Sequence, residues 1–212
     1  LDPNTGAILA MVSHPDFDPA VFSRAVDQSA WDSLRSHPDK PLFNRATMSG
    51  WPPGSTWKPF MSLMALEEGL LEPDDTLPCP AGWRLGRRTF TNHGGKSYGA
   101  ITIPKALEVS CNTFYWELMS QMDLATWERW ARRFGFGQRV PLDVGDQQPG
   151  LIPDSSYYDR TYGTWTSGYT INLAIGQGDM SVTPLQLARY VAAVANGGTL
   201  HPPHFVRRLV HP

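Results

Sequence analysis

The sequence lacks any run of about eighteen apolar residues, so no segment is predicted to cross a membrane as a helix. It also lacks a surplus of charge of one sign, because 18 Lys and Arg stand against 20 Asp and Glu. This balance excludes the basic surface that is typical of nucleic-acid-binding proteins. Hydrophobic residues make up 41% of the chain and charged residues 18%, which excludes general disorder and favours a globular core.

Cysteine is scarce, since the chain holds only Cys79 and Cys111. Two cysteines cannot form a disulfide framework, although they can form a single bridge. Two buried free thiols are a second possibility. Thiolates and imidazole are also the ligands that zinc prefers, so Cys79, His93 and Cys111 are candidate ligands of a structural zinc ion. The spacing of the three residues matches no compact zinc-finger motif, and the residues alone leave these alternatives open.

Hydrophobic periodicity and breaker residues predict a mixed fold of the α/β or α+β class, with helices packed on a sheet. A buried strand is predicted at 6–13 and the start of another at 205–210, with hairpins and loops over 72–101 and a loop-rich stretch over 138–172. Helices are predicted at 30–34, 55–70, 104–109, 113–122, 124–134 and 184–196. The last of these has the clearest boundaries, because a capping box precedes it and Gly197 follows it.

Ser55 and Lys58 form the first candidate catalytic motif, Ser-x-x-Lys, directly after Pro-Pro-Gly. Residues three apart near the start of a helix lie on one face, so Lys58 can approach the Ser55 hydroxyl and take its proton. The lysine must be neutral to do so, which requires burial or a nearby cation to lower its pKa. Free N–H groups at the start of the helix can stabilise an oxyanion. An isolated Ser-x-x-Lys is nevertheless common, and its ordinary explanation is a capping serine followed by a solvated lysine.

Ser110 and Asn112 form a second motif, Ser-x-Asn, at a predicted junction between two helices. There Ser110 can relay a proton to a leaving amine, and Asn112 can hold a substrate amide. Local capping of a helix is the ordinary explanation when such a motif stands alone. Two motifs together point to an acyl-transfer site with Ser55 as nucleophile and Lys58 as base.

These motifs resemble those of the penicillin-binding proteins and serine β-lactamases. The surrounding sequence is similar to class B penicillin-binding proteins, and within that class to the penicillin-binding protein 2 group of cell-elongation D,D-transpeptidases. The resemblance runs through nearly the whole chain and is carried by residues 2–11, 44–59, 150–153, 174–178 and 183–188.

The resemblance implies the penicillin-binding protein and serine β-lactamase fold, with helices packed on a mainly antiparallel sheet. It also implies a D,D-transpeptidase that cross-links peptidoglycan stem peptides through a Ser55 acyl-enzyme. Ser55, Lys58, Ser110 and Asn112 are then the catalytic residues, no organic cofactor is needed, and β-lactams acylate Ser55. It further implies a periplasmic domain anchored in the bacterial inner membrane, with a glycosyltransferase and a scaffold protein of the elongation machinery as partners. The alternatives are a serine β-lactamase or D,D-carboxypeptidase, a β-lactam sensor and a structural pseudoenzyme.

Some penicillin-binding proteins 2 carry a zinc site beside the active site. The resemblance brings Cys79 and Cys111 to two of its ligand positions and His93 close to a third. Asn92 and Tyr98 depart from the expected pattern, since a further Cys or Asp and a His are expected there.

A third motif of the family, Lys-Thr-Gly or Lys-Ser-Gly, does not occur in the 212 residues. In the family it lies on a strand beyond the last helix and helps to bind the substrate carboxylate. We therefore expect the chain to be a partial transpeptidase domain without its N-terminal anchor and pedestal and without the C-terminal strand. As a piece on its own it is expected to be inactive.

Overall fold

The computed structural model describes residues 1–23, 27–143 and 145–208. The chain divides into two compact units. The first unit consists of Leu1–Gly50, Gln138–Gly150 and Val182–Pro212, and the second of Trp51–Gly137 and Leu151–Ser181. All four predicted catalytic residues therefore belong to the second unit.

Helices are the main elements of the described residues, and each strand is short. The helices are α1 (Gln28–Ser36), α2 (Arg45–Met48), α3 (Lys58–Glu67), α4 (Ile103–Glu108), α5 (Asn112–Ser120), α6 (Leu124–Arg133), α7 (Ser155–Tyr162), α8 (Ser167–Thr170) and α9 (Pro184–Ala195). Short 3-10 helices lie at Pro19–Phe22, Gly54–Trp57, His93–Gly95 and Ile171–Ile175. The strands are β1 (Leu77–Cys79), β2 (Gly82–Leu85), β3 (Arg88–Thr91) and β4 (Gly99–Ile101). No helix among the described residues is both long and apolar enough to cross a bilayer.

The capping box predicted for α9 is confirmed in the first unit. The Thr183 hydroxyl accepts a hydrogen bond from the Gln186 N–H at 3.2 Å, and the Gln186 side chain accepts one from the Thr183 N–H at 2.9 Å. The amide nitrogen of Gln186 donates to the carbonyls of Gln138 and Pro149, both at 2.9 Å. One buried glutamine thus caps a helix and holds the segment 138–150 of the same unit.

The strand predicted at 6–13 is wrong. Within this stretch only Ala7 pairs, through an isolated parallel bridge to His204. Leu9 is 75% exposed and Val12 is 81% exposed, although both are apolar. The described residues provide no further pairing partner along this segment, so its backbone forms no ladder.

The strand predicted to start at Phe205 is not formed over the described residues 205–208, and its remaining positions, 209 and 210, lie outside them. The N–H groups of Phe205 and Val206 donate to the carboxylate of Asp143 at 2.9 and 2.8 Å. A carboxylate therefore takes the place of a neighbouring strand as acceptor.

Antiparallel pairing organises the strands of the second unit. β1 pairs with β4, with Leu77 opposite Ile101 and Cys79 opposite Gly99. β2 and β3 form a separate hairpin. The predicted antiparallel character is confirmed, and the strands form two sheets of two strands each.

An aromatic cluster fills the core of the second unit around Trp57, which is fully buried. Its ring centroid lies 4.2 Å from that of Phe60, 4.7 Å from Phe136 and 5.9 Å from Trp127. The cluster joins the turn that precedes α3 to α6. Because Ser55 and Lys58 flank Trp57 in sequence, this packing fixes the backbone that carries both residues.

Helices α7 and α8 lie in the stretch that the sequence predicts to be loop-rich, and that prediction is wrong for residues 155–162 and 167–170. The boundary signals of α7 are present in the sequence. The Asp154 side chain caps its start by accepting from the Tyr157 N–H, and Gly163 ends it with a φ of 80°. The apolar residues between these signals are too few to predict a buried helical face.

Cys79 and Cys111 form a disulfide, with their Cα atoms 6.3 Å apart. The bridge joins the end of β1 to the N-cap residue of α5. The predicted zinc site of Cys79, His93 and Cys111 is therefore wrong, because sulfurs bonded to each other are not thiolate ligands. His93 is exposed, and the described residues contain no cluster of three or more His, Cys, Asp or Glu side chains able to hold a metal ion.

The disulfide predicts a loss of stability when both cysteines are replaced. Its closed loop spans 32 positions of the sequence, and a cross-link of that span lowers the entropy of the unfolded chain. We expect the double variant Cys79→Ser, Cys111→Ser to lose about 3 to 4 kcal/mol in its free energy of unfolding. Urea unfolding followed by tryptophan fluorescence measures the difference. EDTA serves as the control, and a loss of stability on chelation without any effect of reductant would contradict the disulfide.

Candidate active site

Ser55 is exposed at the start of a short 3-10 helix that leads directly into α3. The continuous helix predicted from Ser55 is therefore a 3-10 turn over Gly54–Trp57 followed by an α-helix from Lys58. Pro59 lies in the first turn of α3, where a missing N–H has little cost. Ser55 and Lys58 are one 3-10 turn apart, with the serine at the surface and the lysine in the interior.

The turn before Ser55 is held by a close backbone contact with Gly176. The Gly54 N–H donates to the Gly176 carbonyl at 2.8 Å, and both glycines have positive φ, 60° and 66°. A Cβ atom at Gly176 would lie 2.7 Å from the Gly54 nitrogen and 2.9 Å from the Trp57 Cβ. Only glycine fits at position 176, so Gly176 allows the backbone to pass close to the turn that carries Ser55.

Lys58 is 1% exposed and all three of its N–H donors are used. Its Nζ donates to the Ser110 carbonyl at 2.7 Å, the Ser110 hydroxyl at 2.9 Å and Asn112 Oδ1 at 2.7 Å. The Ser110 hydroxyl in turn donates to Ser55 Oγ at 3.0 Å. The connection between Lys58 and Ser55 therefore passes through Ser110 and is not the direct contact that the motif spacing suggests.

Burial lowers the pKa of the Lys58 ammonium to about 8. None of the ion pairs between described residues involves Lys58, so no carboxylate compensates its charge. Its neighbours are neutral carbonyl and hydroxyl oxygens, together with the ring of Tyr115 at 5.6 Å. The lowered pKa brings the neutral form of Lys58, which a general base requires, closer to physiological pH.

Ser110 has a φ of 52°, in the left-handed region that non-glycine residues seldom adopt. It follows the C-cap of α4, and the chain closes there with the Ser110 N–H bonded to the Leu107 carbonyl at 3.1 Å and the Cys111 N–H to the Ala106 carbonyl at 2.9 Å. These are the two bonds of a Schellman motif, in which the left-handed position is usually glycine. A serine here carries backbone strain at the site where its hydroxyl joins Lys58 to Ser55.

Asn112 begins α5, and Cys111 caps that helix by accepting a hydrogen bond from the Phe114 N–H at 3.3 Å. The backbone N–H of Asn112 donates to Asn92 Oδ1 at 2.9 Å. Motif reasoning missed Asn92 as a residue of this site, because Asn92 lies 20 residues before Asn112 and belongs to neither candidate catalytic motif. The only sequence signal at Asn92 is its departure from the residue expected for a zinc ligand.

Four of the predicted site residues are brought together by these contacts: Ser55, Lys58, Ser110 and Asn112. His93 is not among them, since it lies exposed in a 3-10 turn after β3. A surface hydroxyl linked through a second hydroxyl to a buried amine of lowered pKa is the arrangement of an activated serine nucleophile.

Comparison with known proteins identifies the family. Residues 1–211 match the protein family described as "Penicillin binding protein transpeptidase domain". The chain belongs to this family. Among curated proteins it is 37% identical over 210 residues to the peptidoglycan D,D-transpeptidase MrdA of Acinetobacter baumannii, a match that covers 98% of the chain and 31% of that protein. The chain thus spans about a third of the length of this relative.

Solved structures of penicillin-binding protein 2 (PBP2) share the fold. The chain resembles Pseudomonas aeruginosa PBP2 in complex with WCK 5153, with a TM-score of 0.92 and 34% identity over 98% of this chain and 46% of that one. A complex between PBP2 and MreC from Helicobacter pylori matches with a TM-score of 0.90 and 27% identity over 100% of this chain and 40% of that one. The predicted fold class and the predicted family are confirmed.

The strain at Ser110 predicts an unusual order of stability among its variants. Ser110→Ala keeps the left-handed φ on a residue with a Cβ atom, whereas Ser110→Gly removes that penalty. We expect Ser110→Gly to be more stable than Ser110→Ala by about 1 kcal/mol, measured by urea unfolding. Equal stabilities would show that the left-handed conformation is not kept at this position. A matched pair at exposed Ser120, the last residue of α5, is the control, and there alanine is expected to be the more stable variant.

Proposed function

We propose that this chain carries the nucleophile half of a peptidoglycan D,D-transpeptidase site, in which Ser55 forms an acyl-enzyme. The observation that carries the proposal is the hydrogen-bonded path from Ser55 through Ser110 to the buried Lys58. Membership of the penicillin-binding protein transpeptidase family supports it. The substrate class follows from the family: a stem peptide that ends in D-Ala-D-Ala.

Neutral Lys58 fits the role of base because two of its three partners can accept its remaining N–H groups and the third can donate a proton to its lone pair. A neutral amine keeps two N–H donors, which satisfy the Ser110 carbonyl and Asn112 Oδ1. Its lone pair then faces the Ser110 hydroxyl at 2.9 Å. The amine can accept the Ser110 proton while Ser110 accepts the proton of Ser55, so the two hydroxyls form a relay.

Acylation then proceeds by attack of Ser55 Oγ on the carbonyl carbon of the penultimate D-Ala. The Ser55 proton passes to Ser110 and the Ser110 proton to Lys58, which becomes an ammonium. When the peptide C–N bond breaks, the ammonium returns a proton through Ser110 to the departing amine of the terminal D-Ala. An amine of a neighbouring stem peptide then attacks the ester carbonyl, and its proton passes through Ser110 to Lys58. As the ester C–O bond breaks, Lys58 returns a proton through Ser110 to Ser55 Oγ, which restores the free hydroxyl.

Asn112 has a second use in this scheme. Its carbonyl oxygen binds Lys58, which leaves the NH₂ group of the same side chain as a donor toward a substrate carbonyl. One residue then orients both the base and the acyl donor. This agrees with the amide-binding role that the sequence motif suggests for Asn112.

The proposal includes a location and partners. A disulfide between Cys79 and Cys111 fits an oxidising compartment, which supports the periplasmic side of the inner membrane. The solved complex of PBP2 with MreC supports a scaffold protein as partner, and the family resemblance extends the proposal to a glycosyltransferase of the elongation machinery. β-Lactams, which mimic the acyl donor, are proposed to acylate Ser55 and remain bound.

We propose further that these 212 residues do not complete the site. The Lys-Thr-Gly or Lys-Ser-Gly motif, which binds the substrate carboxylate in this family, is absent from the sequence. Activity is therefore assigned to the longer protein, and experiments on acylation should use the full-length chain.

Labelling with fluorescent penicillin tests the nucleophile. We expect wild-type full-length protein to become covalently labelled and Ser55→Ala to remain unlabelled, since the alanine has no oxygen to acylate. Gel fluorescence measures the label, and mass spectrometry of the labelled peptide locates it. Thr56→Val is the matched control, because its neighbouring hydroxyl bonds only to the Pro53 carbonyl. Equal labelling of wild type and Ser55→Ala would defeat the proposal.

The lowered pKa of Lys58 predicts the pH dependence of acylation. Only the neutral amine accepts a proton, and its fraction rises as pH passes through a pKa of about 8. The second-order rate constant of labelling should therefore rise about tenfold between pH 7 and pH 9 and then level off. Stopped-time labelling over this range measures it. Lys58→Arg cannot lose its proton, so it should label orders of magnitude more slowly and show no such rise; a flat wild-type profile would contradict Lys58 as the base.

A further inference from the structure

We propose that Asn92 is a positioning residue for acylation, and that its buried amide sets the place of Asn112 and through it the place of Lys58. The inference rests on the proposed function, since it assigns a role to Asn92 only if Lys58 and Asn112 serve the Ser55 acyl-enzyme. Asn92 belongs to neither catalytic motif and makes no hydrogen bond to Ser55, Lys58 or Ser110.

Every polar group of Asn92 is used, although the side chain is 3% exposed. Its Oδ1 accepts from the backbone N–H groups of His93 and Asn112, both at 2.9 Å. Its Nδ2 donates to the Lys96 carbonyl at 2.8 Å, and its own backbone N–H donates to the Ala81 carbonyl at 2.8 Å. The amide is therefore held in one orientation, because a flipped amide would bring an NH₂ group against two N–H donors.

The contact with Asn112 matters because of its position in α5. Asn112 is the first residue of that helix, and the first N–H groups of a helix have no partner within it. Asn92 satisfies this N–H from outside the helix. The same asparagine, Asn112, binds Lys58 through its side chain at 2.7 Å, so its backbone anchor and its catalytic contact belong to one residue.

The disulfide completes the anchor from the other side. Nδ2 of Asn92 lies 3.4 Å from the Cys79 sulfur and 3.8 Å from the Cys111 sulfur. Cys111 stands between Ser110 and Asn112, so a covalent tether and a hydrogen bond hold consecutive residues of the turn that contacts Lys58. Asn92 packs against both sulfurs and accepts a hydrogen bond from the N–H of Asn112, the residue after Cys111. It is therefore the polar part of this anchor.

Thr113 offers a matched control in the same cluster. It is fully buried, its hydroxyl donates to the Pro80 carbonyl at 3.0 Å, and it contacts the Cys111 sulfur at 3.2 Å. Thr113→Val removes a buried hydrogen bond beside the disulfide without touching the N–H of Asn112. A role of Asn92 in stability alone predicts that the Asn92 and Thr113 variants behave alike in acylation.

The experiment measures acylation of the full-length protein by fluorescent penicillin at increasing concentration and pH. We expect Asn92→Ala to lower the limiting acylation rate on the order of 10- to 100-fold, with a smaller change in the half-saturating concentration. The pH midpoint should fall, because the Lys58 ammonium loses a fixed acceptor when Asn112 shifts. Thr113→Val should keep the wild-type rate and midpoint at a comparable loss of stability.

Two further readouts keep the outcome decisive. Asn92→Asp retains an acceptor for the Asn112 N–H and should recover part of the rate, although its carboxylate faces the Lys96 carbonyl. Hydrogen exchange of the peptide containing Asn112 should be faster in Asn92→Ala than in wild type and unchanged in Thr113→Val. Should the alanine variant not fold, Asn92→Ser carries the same expectations, since its hydroxyl is too short to reach both N–H groups.

An Asn92→Ala protein that acylates at the wild-type rate with the wild-type pH midpoint would overturn the inference. So would Asn92 and Thr113 variants that slow acylation equally. Labelling of wild type and its loss in Ser55→Ala report on the proposed function, whereas the ratio between Asn92→Ala and wild type reports on Asn92. The two claims therefore fail separately.

Discussion

A lysine buried among neutral oxygens is the constraint around which the second unit is built. Lys58 is 1% exposed and has no carboxylate to offset its charge, so its ammonium is tolerated only because three acceptors surround it. Those acceptors come from one turn, Ser110 to Asn112, which connects α4 to α5. The aromatic packing of Trp57 holds the lysine from one side, and β1 holds the turn from the other through the disulfide. Stability and chemistry thus depend on the same few atoms.

Sequence reasoning predicted that Ser55 and Lys58 share one turn because the signals for that turn are local. A serine and a lysine three positions apart after Pro-Pro-Gly lie on one turn in any helical geometry. The capping box of α9 likewise depends only on four consecutive residues, from Thr183 to Gln186. The family resemblance then predicted the fold and brought Ser110 and Asn112 to the same site, which contacts across more than 50 residues bear out.

Contacts that depend on tertiary partners were predicted less well. The apolar stretch at 6–13 satisfies the pattern of a buried strand, but a strand exists only where another strand pairs with it, and Ala7 alone finds one. The sequence positions of Cys79 and Cys111 were compatible with a zinc site, free thiols or a disulfide. Only the distance between the two segments that carry them decides among these alternatives. The hydrogen bonds that connect Ser55 to Lys58 through Ser110, in place of a direct contact, escaped prediction for a similar reason, because a left-handed backbone at a serine has no signature in sequence.

The position of Cys111 inside the Ser-x-Asn motif links the assembly of the site to the redox state of its surroundings. In a reducing compartment the two sulfurs are separate thiols, and the turn that surrounds Lys58 loses its covalent tether to β1. Formation of the bridge is a chemical step separate from synthesis of the chain, and the tether exists only after it. A protein built in this way acquires a fully tethered turn around Lys58 only where disulfides form.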